Sequence, residues 1–346
     1  MEPRCPSCLP WREALRHSRG SHAPAAGLIG RRRRGLAFDV ETGPLHVVTG
    51  AFGFTGHFIT RRLLSMGKRV RTLTRRIDRP NPFGDRVSVV PYRFDDPDEL
   101  TRSLRGAAVL YNTYWVRFPH GRVTFGEAIA NTRILIRACE AAGVGRMVHL
   151  SVTGASEDSP LPYFRGKGIL ERAIRESKLS YAILRPALIY GPGDILVNNI
   201  AWFLRHLPAF AIPGDGGYRL QCADVEDVAE IAVGASERPE NLVVDVVGPE
   251  TYTFDGLVRL IAGAVHSRAK IVHLAPGVAR VLLRLVGRLV GDVVLTPDEV
   301  AGLMSGLLVS SGAPLGRRRL PDWLLEHGPT LGRTYASELG RHYSRA

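Results

Sequence analysis

Lysine is scarce in this chain, standing only at positions 68, 167, 178 and 270, although Lys and Arg together number 46 against 33 Asp and Glu. The formal charge of +13 therefore rests on arginine. It reflects a general preference for arginine more than a clustered basic face of the kind that attracts phosphate, so no nucleic-acid partner is expected. Cysteine is equally sparse, at Cys5, Cys8, Cys139 and Cys222. The last two lie in apolar stretches that favour a buried, reduced thiol, which argues against a disulfide framework. Cys5 and Cys8 form a lone C-x-x-C without a second pair or a histidine at zinc spacing, so no metal site is expected. The sequence has no run of about 18 uninterrupted apolar residues, which argues against a transmembrane helix. The four arginines between Gly30 and Gly35 are not followed by the apolar region of an export signal, and a cytoplasmic location is the expectation.

What is present is an apolar fraction of 45% with 23% charged residues, enough for a substantial core in a chain longer than one average domain. Residues 1–43 are rich in Pro, Gly, Ser, Ala and Arg without periodicity. They read as a disordered basic leader, either genuine or the product of a misassigned start. From Leu45 onward, short β-branched runs alternate with amphipathic stretches of helical length, the signature of a doubly wound parallel α/β sheet. Strands are expected at 45–49, 69–74, 87–92, 108–112, 146–151 and 181–186, with helices at 57–66, 99–104, 125–142 and 167–177. This first domain spans 44–191. Residues 192–346, with irregular Pro and Gly spacing, read mainly as a smaller substrate lobe that returns one strand to the sheet near 242–247. Arg280, Arg284 and Arg288 recur at intervals of four on a helix over 278–290, whose Val and Leu side is expected to pack on the lobe, while contact with anionic lipid is the competing reading.

The segment Val47-Val-Thr-Gly-Ala-Phe-Gly-Phe-Thr-Gly56 runs from a strand through a glycine-spaced turn into a helix. A diphosphate needs close backbone approach and free N–H donors at a helix N-terminus, and glycine removes the Cβ atoms that would block it. Gly50, Gly53 and Gly56, with Phe52, Phe54 and Thr55 between and beside them, form the expected cofactor turn. Where NAD-selective folds place an acid, at the end of the second strand, this chain has Thr74, Arg75 and Arg76. Two guanidiniums suit a 2′-phosphate and favour NADPH over NADH, although a solvated basic turn would look the same.

Tyr163-Phe-Arg-Gly-Lys167 presents Y-x-x-x-K at a helix start, twelve residues after Ser151. Together with the glycine turn, Asp95 in Phe-Asp-Asp-Pro-Asp, Asn131, and the stretches 184–194 and 225–229, it resembles the short-chain dehydrogenase/reductase superfamily in its extended or atypical branch. The likeness covers about residues 44–250. The texture is similar to the group that includes the Rossmann-type accessory subunit of respiratory complex I. The resemblance implies Tyr163 as acid/base, Lys167 lowering the phenol pKa and holding the nicotinamide ribose, Ser151 orienting the substrate oxygen, and Asn131 as a further catalytic residue. It also implies Asp95 near the adenine, Asn112 and Thr113 beside the cofactor, and Pro186 near the nicotinamide.

Sugar-nucleotide epimerases and dehydratases, the neighbouring group, usually carry an arginine followed by an acid where this chain has Tyr218-Arg-Leu-Gln-Cys-Ala-Asp224. Arg219 is displaced by one and the acid is absent, which weakens a nucleotide-sugar substrate. Aromatic bulk at 111–118 favours a small hydrophobic or aromatic one, unless those rings serve packing. The expected activity is NADP-dependent hydride transfer to or from a carbonyl or alcohol. The alternatives are an epimerase or dehydratase with tightly bound NAD, and a non-catalytic NAD(P)H-binding accessory or sensor protein. A homodimer is compatible with the resemblance.

Overall fold

The computed structural model describes residues 43–343 apart from 76, 78 and 79. The leader, its two cysteines and Arg76 therefore lie outside the described residues. The first half alternates strand and helix: β1 (Leu45–Thr49), α1 (Phe54–Ser65), β2 (Arg69–Thr74), β3 (Val87–Pro91), α2 (Pro97–Leu104), β4 (Ala107–Asn112), α3 (Phe125–Ala142), β5 (Arg146–Leu150), α4 (Pro162–Glu176) and β6 (Ser180–Pro186). β1 and β5 are buried along their whole length, as strands covered on both faces must be. The helix ends are set locally. Asp96 accepts from the Glu99 N–H to open α2, Thr124 does the same for α3 through Glu127, and Gly143 closes α3 at φ 70°. α4 begins five residues before the expected Lys167, because Pro162 occupies the first turn, where its missing N–H costs nothing.

After these come β7 (Leu188–Tyr190), α5 (Leu196–His206), β8 (Ala209–Pro213), β9 (Arg219–Asp224), α6 (Val225–Ser236), β10 (Leu242–Val246), β11 (Thr251–Thr253), α7 (Phe254–Ala264), β12 (Lys270–Leu274), α8 (Pro276–Val290), α9 (Pro297–Met304) and α10 (Leu320–His327). Seven parallel strands form the main sheet in the order β10-β6-β5-β4-β1-β2-β3. The order reverses at β1, between β4 and β2, so a crevice opens above the carboxyl ends of β1 and β4. One core layer joins α1 to α6 through Phe58, Ile59, Leu63, Val225 and Val228, and the opposite layer holds Leu100, Leu135 and Ile174 of α2, α3 and α4.

A second core gathers β7, β9, α5, α7 and α10 around Tyr190, Leu220, Leu257 and Leu324. The small sheets β11-β9-β7 and β12-β8 belong to this lobe. α8 departs from expectation. Only Ala279 and Gly287 of its fifteen residues are buried, while Val278, Val281, Leu285 and Leu289 are exposed, so most of its apolar side does not pack on the lobe.

Candidate active site and dinucleotide cleft

The glycine turn follows β1 directly. Gly50 adopts φ +69°, a left-handed conformation that glycine takes at little cost, and its carbonyl accepts from the Gly53 N–H at 2.8 Å. A Cβ on Gly56 would lie 2.2 Å from the Gly50 oxygen, so only glycine lets α1 start this close to the turn. No acid stands in the first turn of α1, whose positive end faces the cleft unopposed. A cleft of about 360 Å³ lies here, lined by Gly50, Phe52, Gly53, Phe54, Thr55 and Gly56, by Thr74 and Arg75 at the end of β2, and by Thr113 and Trp115 after β4. This backbone cradle fits a dinucleotide diphosphate, and Arg75 and Arg341 add guanidiniums to its wall.

The remaining expected cofactor residues are dispersed. Asp95 is exposed and pairs with Arg93 at 3.2 Å, away from the cleft wall. Asn112 is fully buried, linking Thr49 at 3.2 Å to His149 at 3.0 Å, so it holds β1, β4 and β5 together beneath the cleft floor. Thr113 reaches the floor itself, donating to the Thr49 carbonyl at 2.5 Å. Pro186 is buried at the end of β6, where its carbonyl accepts from the Thr153 N–H at 3.0 Å.

Beside the cleft lies a larger chamber of about 770 Å³ that shares Phe54, Thr55, Arg117 and Glu338 with it and is lined by Val152 and Tyr163. Tyr163 contacts the rings of Trp115, Phe125 and Phe164, and among the described residues its hydroxyl has no hydrogen-bond partner. Burial, reinforced by the Glu299 carboxylate, pushes its phenol up to about 12. The expected lowering by Lys167 is therefore corrected: the two side chains share a helix, but the ammonium is committed elsewhere. Lys167 donates to the Leu150 carbonyl at 2.6 Å, and its Nζ lies 4.8 Å from the centroid of the Trp115 ring. Desolvation brings the ammonium down to about 7, only partly opposed by Glu171.

Ser151 donates to Glu171 at 2.5 Å, and Glu171 in turn accepts from Arg185 Nε at 2.9 Å and Nη2 at 2.5 Å. Asn131 donates to the Tyr114 hydroxyl at 3.0 Å. The structure thus brings Ser151 and Lys167 to the same buried end of β5 and seats Tyr163 one helical turn away, but the three do not hydrogen-bond to one another.

Sequence reasoning missed several residues. Glu171 follows Lys167 by four along the same helix face, a spacing that was available to find it. Arg117, which touches both spaces, is held by Glu299 at 2.5 Å, Glu338 at 3.2 Å and the Val294 carbonyl at 3.0 Å. Its partners lie more than 170 positions away, and no local signal could have named them. The same holds for Arg341 and Tyr343, which close one wall of the cleft from the C-terminal end of the described chain. Trp115 carries an indole N–H that is buried without a partner. Among the described residues, no group of His, Cys, Asp and Glu could hold a metal ion, and no helix is long and apolar enough to cross a membrane.

Residues 50–194 match a family model described as NAD(P)H-binding. Subunit 9 of the NADH dehydrogenase [ubiquinone] 1 alpha subcomplex from Arabidopsis thaliana is 26% identical, over 86% of this chain and 79% of that protein. A (4-alkanoyl-5-oxo-2,5-dihydrofuran-3-yl)methyl phosphate reductase from Streptomyces griseus is 30% identical, over 60% of this chain and 69% of the reductase. Among solved structures, the Citrobacter triphenylmethane reductase complexed with NADP(H) shares the fold with a TM-score of 0.68 at 19% identity, over 82% of this chain and 99% of the reductase.

Proposed function

The chain belongs to the atypical, epimerase-like branch of the short-chain dehydrogenase/reductase family, and we propose that it is an NADPH-dependent reductase of a carbonyl on an apolar substrate, with Tyr163 as proton donor. The single observation that carries this reading is the chamber that brings the Tyr163 ring and the residues Phe54 and Thr55 of the cofactor turn around one space. A bound nicotinamide supplies the hydride. Tyr163, held protonated by burial, donates its proton to the oxygen of the carbonyl as that oxygen gains charge. Arg75 supports NADPH over NADH, since its guanidinium can pair with a 2′-phosphate and, among the described residues at the end of β2, no acid lines the cleft to claim the ribose hydroxyls. The apolar rings around Tyr163 support a substrate with hydrocarbon character.

Tyr163→Phe tests the proposal: turnover with a panel of aldehydes and ketones is lost while NADPH binding by calorimetry is retained. Undiminished turnover, or a tenfold preference of the parent chain for NADH, overturns it. A second reading is that the dinucleotide is held without turnover. The separate engagement of Ser151 by Glu171 and of Lys167 by Leu150 favours it, as does similarity to the complex I subunit. Tight NADPH binding with no turnover by the parent chain on any member of the panel would select it.

A further inference from the structure

From position 256 to position 291 the chain contains no Asp or Glu but carries Arg259, Arg268, Lys270, Arg280, Arg284 and Arg288. Arg259 pairs with Asp255; the other five are exposed and form no ion pair among the described residues. Three of them, at intervals of four, make one stripe along α8. A second stripe beside it, formed by Val278, Val281, Leu285 and Leu289, is apolar and exposed, Leu289 to 86%. A third side, with Ala279, Leu283 and Val286, faces the body of the protein and roofs an apolar cavity of about 310 Å³. The mouth of that cavity carries Leu207, Val272 and Leu282, also exposed. Seven of the ten exposed large apolar residues described in this chain thus fall on one surface, flanked by unpaired cations.

Only Arg117 and Asn199 contribute polar side chains to the cavity lining, and both are already committed, Arg117 to Glu299 and Asn199 to the backbone of Ala336 at 2.9 Å. The cavity therefore offers nothing to a polar ligand and suits hydrocarbon. It also shares Ile195, Leu196, Phe254, Leu295 and the ion-paired Arg117 with the chamber that holds Tyr163, so the two spaces adjoin across a wall that is apolar apart from Arg117.

We propose that α8 docks the protein on an anionic lipid bilayer, with its apolar stripe in the interface and Arg280, Arg284 and Arg288 on the headgroups, so that the cavity beneath it receives the hydrocarbon chain of a membrane lipid. A helix of this kind, with an apolar side next to a basic one and modest overall hydrophobicity, lies in the interface plane rather than across it. The absence of carboxylates over 36 consecutive residues matches an anionic surface and not a protein patch of mixed sign. That the chain delivered to the cavity is the substrate rests on the reductase reading; the docking itself does not.

The test is flotation of the full chain with phosphatidylcholine vesicles containing phosphatidylserine, against vesicles of phosphatidylcholine alone. Association with the anionic vesicles only, weakened by salt, is expected. Replacing each arginine by glutamine should weaken it about fivefold, and all three roughly a hundredfold. Leu285→Glu with Leu289→Glu should abolish it while leaving NADPH affinity unchanged, since both leucines are exposed and neither lines the cleft. The fluorescent fatty acid cis-parinaric acid should bind the parent chain and be excluded by Ala279→Trp, which fills the cavity. Absence of flotation, or flotation indifferent to these substitutions, overturns the docking surface, as does a dimer in solution that Leu289→Glu dissociates. Failure of parinaric acid to bind overturns the lipid conduit. Flotation requires neither cofactor nor turnover, so it can fail independently of the reductase reading.

Discussion

The indole of Trp115 lies over the ammonium of Lys167, with Nζ 4.8 Å from the ring centroid. The same indole lines the dinucleotide cleft and meets the ring of Tyr163 edge-on at 5.9 Å. Gly166 permits this approach, because a Cβ there would come within 2.8 Å of the indole. Lys167 is thus separated from the cleft by one aromatic ring, and it satisfies part of its hydrogen bonding on the Leu150 carbonyl.

Removing that ring should open the path between Lys167 and a bound cofactor. A desolvated cation–π contact contributes about 2 kcal/mol, so Trp115→Ala is expected to tighten NADPH binding by up to roughly thirtyfold. Calorimetry measures this directly. Weaker binding in the variant would mean that the indole supports the cofactor rather than screening the lysine.

The buried ammonium also links stability to pH. The folded-state pKa of Lys167 is near 7, below its ordinary 10.5. Between those values the unfolded chain binds a proton that the folded chain does not, so stability rises with pH across that window, and the cost is fully present below pH 7. At about 1.4 kcal/mol per pH unit, Lys167→Met should be more stable than the parent by about 5 kcal/mol at acid pH, relative to the difference at the alkaline end of the window. Urea titrations at several pH values would show the gap closing, and a constant gap would contradict it.

Glu171 is fully buried and shares its carboxylate between the Ser151 hydroxyl and the Arg185 guanidinium. Glu171→Ala removes the carboxylate that Arg185 and Arg175 both pair with, leaving Arg185 only the field of Asp245, and is expected to cost about 3–5 kcal/mol in chemical denaturation. A loss below about 1 kcal/mol would place the pair among the solvent-screened ones.

Two glycines of the cofactor turn should respond differently to alanine. At Gly56 the added methyl lies 2.2 Å from the Gly50 oxygen, a backbone atom that cannot yield without moving α1. At Gly53 the corresponding distance is 3.2 Å, which a small shift relieves. Gly56→Ala is expected to lose about 1–3 kcal/mol of stability and most of its NADPH affinity, with Gly53→Ala losing less of both. Paired melting curves and calorimetry distinguish them, and equal effects would contradict the geometry.

Local pattern determined much of this molecule. Short runs rich in Val, Leu and Thr between turn residues marked the first strands of the sheet to within a residue or two, whether covered on both faces like β1 and β5 or alternating between buried and half-buried positions like β2. The glycine spacing marked the turn because each glycine answers a local steric demand. Y-x-x-x-K placed Tyr163 and Lys167 on one helix, since four residues make about one turn. The start of α4 was missed only because Pro162 marks the first turn as well as it marks a loop.

What the tertiary structure alone decided is which partner each of these groups meets. Lys167 meets a carbonyl and an indole rather than a phenol, Ser151 meets Glu171, Arg117 joins two residues far along the chain, and the apolar stripe of α8 meets solvent. Periodicity states that a face is apolar but not what covers it. Pairing between distant charges depends on how whole layers pack, and a linear sequence carries no local record of that.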